Sequence, residues 1–176
     1  MPKAGRRVAC VAGAGTASHA WYPRYSSAID YLDLADRLWP VLTPLMRGHA
    51  AVYRASGGLV GGSVPGLPPM LLLDHVGARS GKQRTTPLVY MRDGDDLLVV
   101  ASKGGYPKDP AWMYNLRAHP DTEVQIGHTR LSVHAREAGV DERRRLWPKA
   151  AKYNPHWARY RQRTSREIPL VLLEPR

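Results

Sequence analysis

Residues 77–88 read GARSGKQRTTPL, with Arg79, Lys82 and Arg84 and no acidic residue among them. Ala78, Ser80 and Gly81 space the charges. Cations, free backbone N–H groups and room for close approach are what a loop needs to grip a phosphate or carboxylate. The same pattern also suits a solvated connection between two strands. A second stretch, ASKGG at 101–105, again combines a serine, a cation and glycine after an apolar run. If the two loops meet, Ser80 and Ser102 donate hydrogen bonds to one anion while Arg79, Lys82, Arg84 and Lys103 supply charge. A helix starting at Pro110 adds a positive N-terminal dipole nearby.

Two aromatic groups have the spacing to line a pocket. Trp112 and Asn115 are three apart on the expected helix, so they share a face. The bland reading of Trp112 is core packing; the sharper one is a wall against a planar ligand, with Asn115 hydrogen-bonding ring carbonyls. Tyr153, Trp157 and Tyr160 recur at helical spacing among Lys149, Lys152, Arg159, Arg161, Arg163 and Arg166. Core packing is again the bland reading, against a helix that covers a pocket mouth with aromatics inward and cations outward.

Other chemistries find little support. The seven histidines are scattered, with no H-x-x-x-H or H-E-x-x-H pair, so no metal site is expected. Neither a P-loop, nor G-x-G-x-x-G, nor G-x-S-x-G is present. Missing metal, nucleophile and nucleotide fingerprints point to a bound organic cofactor as carrier of any chemistry.

The elements that must position these residues are mostly strands. At 176 residues, 43% hydrophobic and 23% charged, one domain with a sizeable core is expected. Residues 1–25 read as a disordered leader with only a loose likeness to a secretory signal, and 26–176 as a single domain opening with a helical segment over 26–50. Turn-rich residues after it predict a short hairpin with strands near Val52 and Leu59. MLLLDHV and TTPLVYMR read as strands, with Pro87 at an edge or bulge. Asp93–Asp95 then turn into LLVVAS, the clearest hairpin in the chain. Asp109 and Pro110 read as the N-cap and first turn of a helix. EVQIG and RLSVHARE form a second hairpin, Asp141 and Glu142 open a helix kinked at Pro148, Pro155 opens another, and IPLVLL closes the chain. Strands that do not alternate with long helices predict a mostly antiparallel β-barrel with peripheral helices, mainly β within the α+β class.

The net charge of +11 calls for an anionic partner: nucleic acid, a lipid surface or a polyanionic small molecule. One cysteine, Cys10, excludes an internal disulfide framework. No apolar run is long enough for a membrane span.

Four stretches in order, VYRASGG, LLLDHVGARSGKQRTTPLVYMRDGDDLLVVASKGG, PAWMYNLRAHP and RTSREIPLVLLEP, resemble the deazaflavin-dependent nitroreductase family, the coenzyme F-420 reductases of actinobacteria. The resemblance spans about residues 50–175. It implies a split β-barrel of the FMN-binding-like kind and an oxidoreductase of the quinone reductase or nitroreductase type. Such an enzyme passes hydride from reduced coenzyme F-420 to a small electron-poor acceptor: a quinone, nitroaromatic or enone. By motif position it implies that Arg79, Ser80, Gly81, Lys82 and Arg84 hold the phosphate and oligoglutamate tail. Thr86, Pro87, Ala101, Ser102, Lys103 and Gly104 would line the cofactor's path, and Pro110, Ala111, Trp112 and Asn115 would frame its other side. Ser102, Tyr153, Trp157 and Tyr160 would face the substrate, with Ser102 and Tyr160 the catalytic candidates and water the other proton source. Asn154 stands where the family's tyrosine-rich lid suggests a tyrosine. The alternatives are an FMN- or haem-binding split barrel and a basic nucleic-acid module, though no nucleic-acid motif occurs. A cytoplasmic enzyme is expected, with Trp21, Tyr22 and Trp39 available for peripheral membrane contact.

Overall fold

The computed structural model describes residues 48–62 and 68–176. The chain is helical over 48–55 (α1). Then come β1 (Met70–Val76), β2 (Gln83–Asp93), β3 (Asp96–Val100), α2 (Ala111–Ala118), β4 (Asp121–Ile126), β5 (Thr129–Glu137), α3 (Val140–Tyr153), α4 (Pro155–Gln162) and β6 (Leu170–Pro175). The six strands close into a barrel in the order β1-β2-β3-β6-β5-β4, with every neighbouring pair antiparallel. The expected mainly β barrel with peripheral helices is what forms.

Two-residue turns make two of the hairpins. Gly94 begins the one between β2 and β3 at φ +66°, a left-handed conformation open to glycine at no steric cost. Gly127 plays the same part between β4 and β5 at φ +59°.

Side-chain alternation sorts the strands into two layers. Leu71, Leu73, Leu97, Val99, Val124, Val133, Val171 and Leu173 point into the barrel, and Trp112, Met113 and Leu116 of α2 plug it. Leu98, Val100, Leu170 and Leu172 point outward, where Leu146 and Ala150 of α3 and Trp157 of α4 cover them. Strands β3 and β6 are therefore apolar on both faces, which explains their unbroken runs DLLVV and LVLL. Truncating one of these leucines to alanine costs about 2–5 kcal/mol.

Pro87 pairs with Leu72 of β1, in a stretch of β2 that β3 does not reach, since β3 pairs only from Tyr90 to Asp93. A residue without an N–H fits such a one-sided position. The barrel is thus split along the first half of β2.

Three expectations change. Residues near Val52 are helical rather than a strand, because Ala50 and Tyr53, three apart, pack on Leu72 from outside the barrel. Leu59 lies in a turn instead, because the chain leaves α1 through Gly57, Gly58 and Gly61 at positive φ. Pro110, not Asp109, is the N-cap of α2, since the Asp109 carboxylate is drawn instead to Arg117 and Arg166. Helix α3 runs on through Pro148. The leader and nearly all of the segment 26–50 lie outside the described residues.

Candidate functional site

The basic loop is the β1–β2 connection. Gly77 N–H donates to Lys82 O at 2.9 Å and Gly81 N–H to Gly77 O at 2.8 Å, closing a tight turn. Arg79, Ser80, Gly81, Lys82 and Arg84 are all exposed on it. Gly81 has φ +62°, and a Cβ there would meet nothing within 4 Å, so a ligand can come close to the backbone. Arg54, Arg117, Arg136, Arg143, Arg145 and Arg166 each pair with a carboxylate. Among the described residues Arg79, Lys82 and Arg84 pair with none. A cluster of exposed cations that no described carboxylate neutralises is an attractive seat for a polyanion.

The second loop follows β3. Ser102 is buried, and Lys103–Gly105 make a single 3-10 turn. Lys103 has φ +45°, the one non-glycine residue at positive φ among the described residues. Such backbone strain persists only where the surroundings over-determine it. Here Arg166 supplies that constraint. It donates to the carbonyls of Tyr106 (2.7 Å), Ala101 (2.9 Å) and Ser102 (2.9 Å) and pairs with Asp109. Arg163 adds a bond to Gly104 O at 3.0 Å. A Cβ on Gly105 would lie 2.6 Å from Tyr160 O, so the loop is pressed against the end of α4.

Helix α2 couples the two regions. It starts just after the second loop, and its Asn115 accepts a hydrogen bond from Ala78 N–H of the first at 2.9 Å. The other end of the Asn115 amide meets His75 Nδ1 at 2.8 Å, and His75 Nε2 lies 3.0 Å from Thr86 Oγ1. Burial first, and then the Arg84 charge, bring the His75 pKa down to about 4, with Asp74 opposing, so the ring is neutral at ordinary pH.

The candidate residues therefore divide. Arg79, Ser80, Gly81, Lys82, Arg84 and Ala111 are exposed, and Thr86, Lys103 and Gly104 are partly open. Ala101 and Trp112 belong to the barrel core, and Pro87, Pro110, Ser102 and Asn115 are buried. Trp112 takes the bland reading, and Asn115 spends its amide on the loop and on His75. Of the late aromatics, Trp157 is buried in the outer layer and Tyr160 packs against it. Tyr153 stands out from α3, 40% exposed, with its ring centroid 6.4 Å from that of Trp157. With Pro69, Tyr90, Met91, Arg92, Lys149 and Lys152 it lines an open cavity of about 690 Å³.

The basic segment departs from its expected cation-outward face at Arg166. That guanidinium points inward because four carbonyl or carboxylate acceptors wait there. His75 and Arg166 are the buried hydrogen-bonding positions beside the two loops whose contacts sequence reasoning missed. One signal was available for His75: it follows Leu71 and Leu73 at period two, which puts it on the inner face.

A split antiparallel barrel with a cationic loop at the open half of β2 defines the class by its fold, the split β-barrel proteins. Comparison with known proteins narrows it. The model of the F420H(2)-dependent quinone reductase family matches residues 45–175, and the chain belongs to that family. An F420H(2)-dependent quinone reductase of Mycobacterium tuberculosis (strain H37Rv) is 44% identical over 135 residues, covering 75% of this chain and 91% of the relative. A second from the same species is 42% identical over 108 residues, covering 61% of this chain and 91% of that protein. Among solved structures, an F420-H2 dependent reductase shares 39% identity at TM-score 0.56, over 60% of this chain and 94% of that one. Another, described as a domain-swapped dimer, shares 32% identity at TM-score 0.58, over 76% and 98%.

Proposed function

We propose that this chain oxidises reduced coenzyme F-420 at the expense of a quinone-type acceptor, with the 77–84 cations as the clamp on the coenzyme's tail. Membership of the family carries the reaction. The observation that carries the clamp is the set Arg79, Lys82 and Arg84, exposed and without carboxylate partners among the described residues, beside an unobstructed Gly81. The coenzyme's phosphate and glutamate carboxylates are the polyanion these donors suit.

When bound, the coenzyme supplies the hydride, and the protein's work is placement. Arg79, Lys82 and Arg84 neutralise the tail, with Lys103 on the second loop adding charge. Arg166 and the Arg163–Gly104 bond hold the Ser102–Gly105 turn in place, so a coenzyme bound beside it would meet a fixed wall. The acceptor lies toward the late aromatics: Tyr153 lines an open cavity with Tyr90 and Met91, and Tyr160 packs on the outer apolar layer that also holds Met91. The Tyr160 and Ser102 hydroxyls are the candidate proton donors, with water as the third source. The acceptor range extends to nitroaromatics and enones on this reading, since flat electron-poor rings share one shape.

Anaerobic mixing of the full chain with reduced coenzyme F-420 and a panel of quinones and nitroaromatics, followed by absorbance, tests the reaction. Quinone-dependent oxidation of the coenzyme is expected. Tight binding of FMN with no response to reduced F-420 overturns the reading. Among the described residues no helix is long and apolar enough to cross a membrane. Peripheral contact through residues 1–50 is tested by liposome flotation with and without that segment.

A further inference from the structure

We propose that His75, a residue outside the cofactor surface, is a positioning residue for the basic loop and acts through Asn115. The proposal rests on the loop's reading as the coenzyme clamp. The hydrogen-bond logic admits one arrangement. Ala78 N–H can only donate, so the atom 2.9 Å from it is the Asn115 oxygen. The Asn115 nitrogen then faces His75 Nδ1 at 2.8 Å, and an amide NH₂ can only donate. Nδ1 is therefore the unprotonated nitrogen. The ring's single proton is on Nε2 and is donated to Thr86 Oγ1 at 3.0 Å.

His75 is 3% exposed and Asn115 7%, so water offers neither a substitute partner. The charged groups that act on the ring are Asp74, its neighbour on β1, and Arg84 on the adjoining β2, while α2 meets it with the neutral Asn115. A proton on Nδ1 would meet the Asn115 NH₂ donor to donor. Turning the amide to relieve that clash would set the NH₂ against Ala78 N–H, again two donors. Either way the tie between α2 and the loop is lost. The spacing of Arg79 and Lys82 thus depends on one tautomer inside the barrel end.

The full-length chain, His75→Leu and His75→Asn test this, because Asn offers an acceptor oxygen close to the place of Nδ1. Four readouts apply: imidazole ¹⁵N shifts, exchange of the Ala78 amide, affinity for oxidised coenzyme F-420, and kcat at saturation. The wild type is expected to show the Nε2–H tautomer. In His75→Leu, Ala78 exchange is expected to rise about tenfold and coenzyme affinity to fall about fivefold to tenfold, with kcat within about twofold. His75→Asn is expected to restore both, which a merely space-filling role would not require. An Nδ1–H tautomer in the wild type, or wild-type Ala78 exchange in His75→Leu, overturns the proposal. Unchanged coenzyme affinity in His75→Leu overturns the positioning role where Arg79→Ala/Lys82→Ala does lose affinity. Unchanged affinity in that double variant as well overturns the loop assignment beneath it, so the two failures are told apart.

Discussion

Arg166 Nη2 lies 2.9 Å from the Ser102 carbonyl, so the chain just ahead of the last strand holds the loop that ends the third. The same guanidinium serves Ala101, Tyr106 and Asp109, and its side chain is only 14% exposed. Replacing it with alanine strands several buried acceptors, at a cost of about 2–4 kcal/mol. Arg166→Lys is expected to recover less than half of that, since one ammonium cannot reproduce the planar fork. Denaturant unfolding of the three proteins measures it, and Arg166→Lys at wild-type stability would refute the pinning role.

Arg79 and Lys82 are exposed and make no carboxylate pair among the described residues. Arg79→Ala/Lys82→Ala is therefore expected to shift stability by no more than about 0.5 kcal/mol. Its affinity for coenzyme F-420 is expected to fall about a hundredfold, from two lost charge-assisted contacts. The remaining affinity is expected to depend less on salt than in the wild type. Fluorescence titration at two salt concentrations checks both points.

Gly105→Ala meets two obstacles: φ of +83°, and Tyr160 O at 2.6 Å from the new Cβ. Both obstacles are backbone, so no side-chain rotation relieves them. A loss of about 2 kcal/mol or more is expected, with weaker coenzyme binding because the 103–105 turn must move away from α4. Thermal unfolding and coenzyme titration of the variant measure the two effects.

His75 gives stability a pH dependence with a defined sign. Its pKa falls from 6.5 to about 4 on folding, so between those values the unfolded chain binds the extra proton. Stability therefore falls on acidification through that window, by up to about 1.4 kcal/mol per pH unit from this one group. In His75→Asn that contribution vanishes, and the stability difference from wild type is expected to shift in the variant's favour from pH 6.5 to pH 4. Urea unfolding across that range checks it; parallel curves would contradict a buried neutral His75.

Strands were readable where a single physical signal dominated. Glycine at Gly94 and Gly127, flanked by apolar runs, left few options but tight hairpins. The helical reading from Asp141 to about Tyr153 followed from Asp141 and Glu142 at its start, and the helix runs Val140–Tyr153. Around Val52 local signals competed: turn-forming glycines lay close behind, and only the outer face of Leu72 made Ala50 and Tyr53 a helical pair. Asp109 misled in a similar way, because a carboxylate before proline caps a helix unless arginines claim it, here Arg117 of the same helix and Arg166 from far along the chain.

The sequence by itself determined the barrel class, the hairpins, the order of the family's segments and the cationic loop, since each rests on residue types a few positions apart. The tertiary structure alone decided which polar groups meet. Ala78 with Asn115, Asn115 with His75 and Ser102 with Arg166 are separated by 37, 40 and 64 positions. No local propensity encodes such pairs. They arise because closing the barrel brings α2, the first hairpin and the approach to the last strand to neighbouring places, where buried donors and acceptors must find one another.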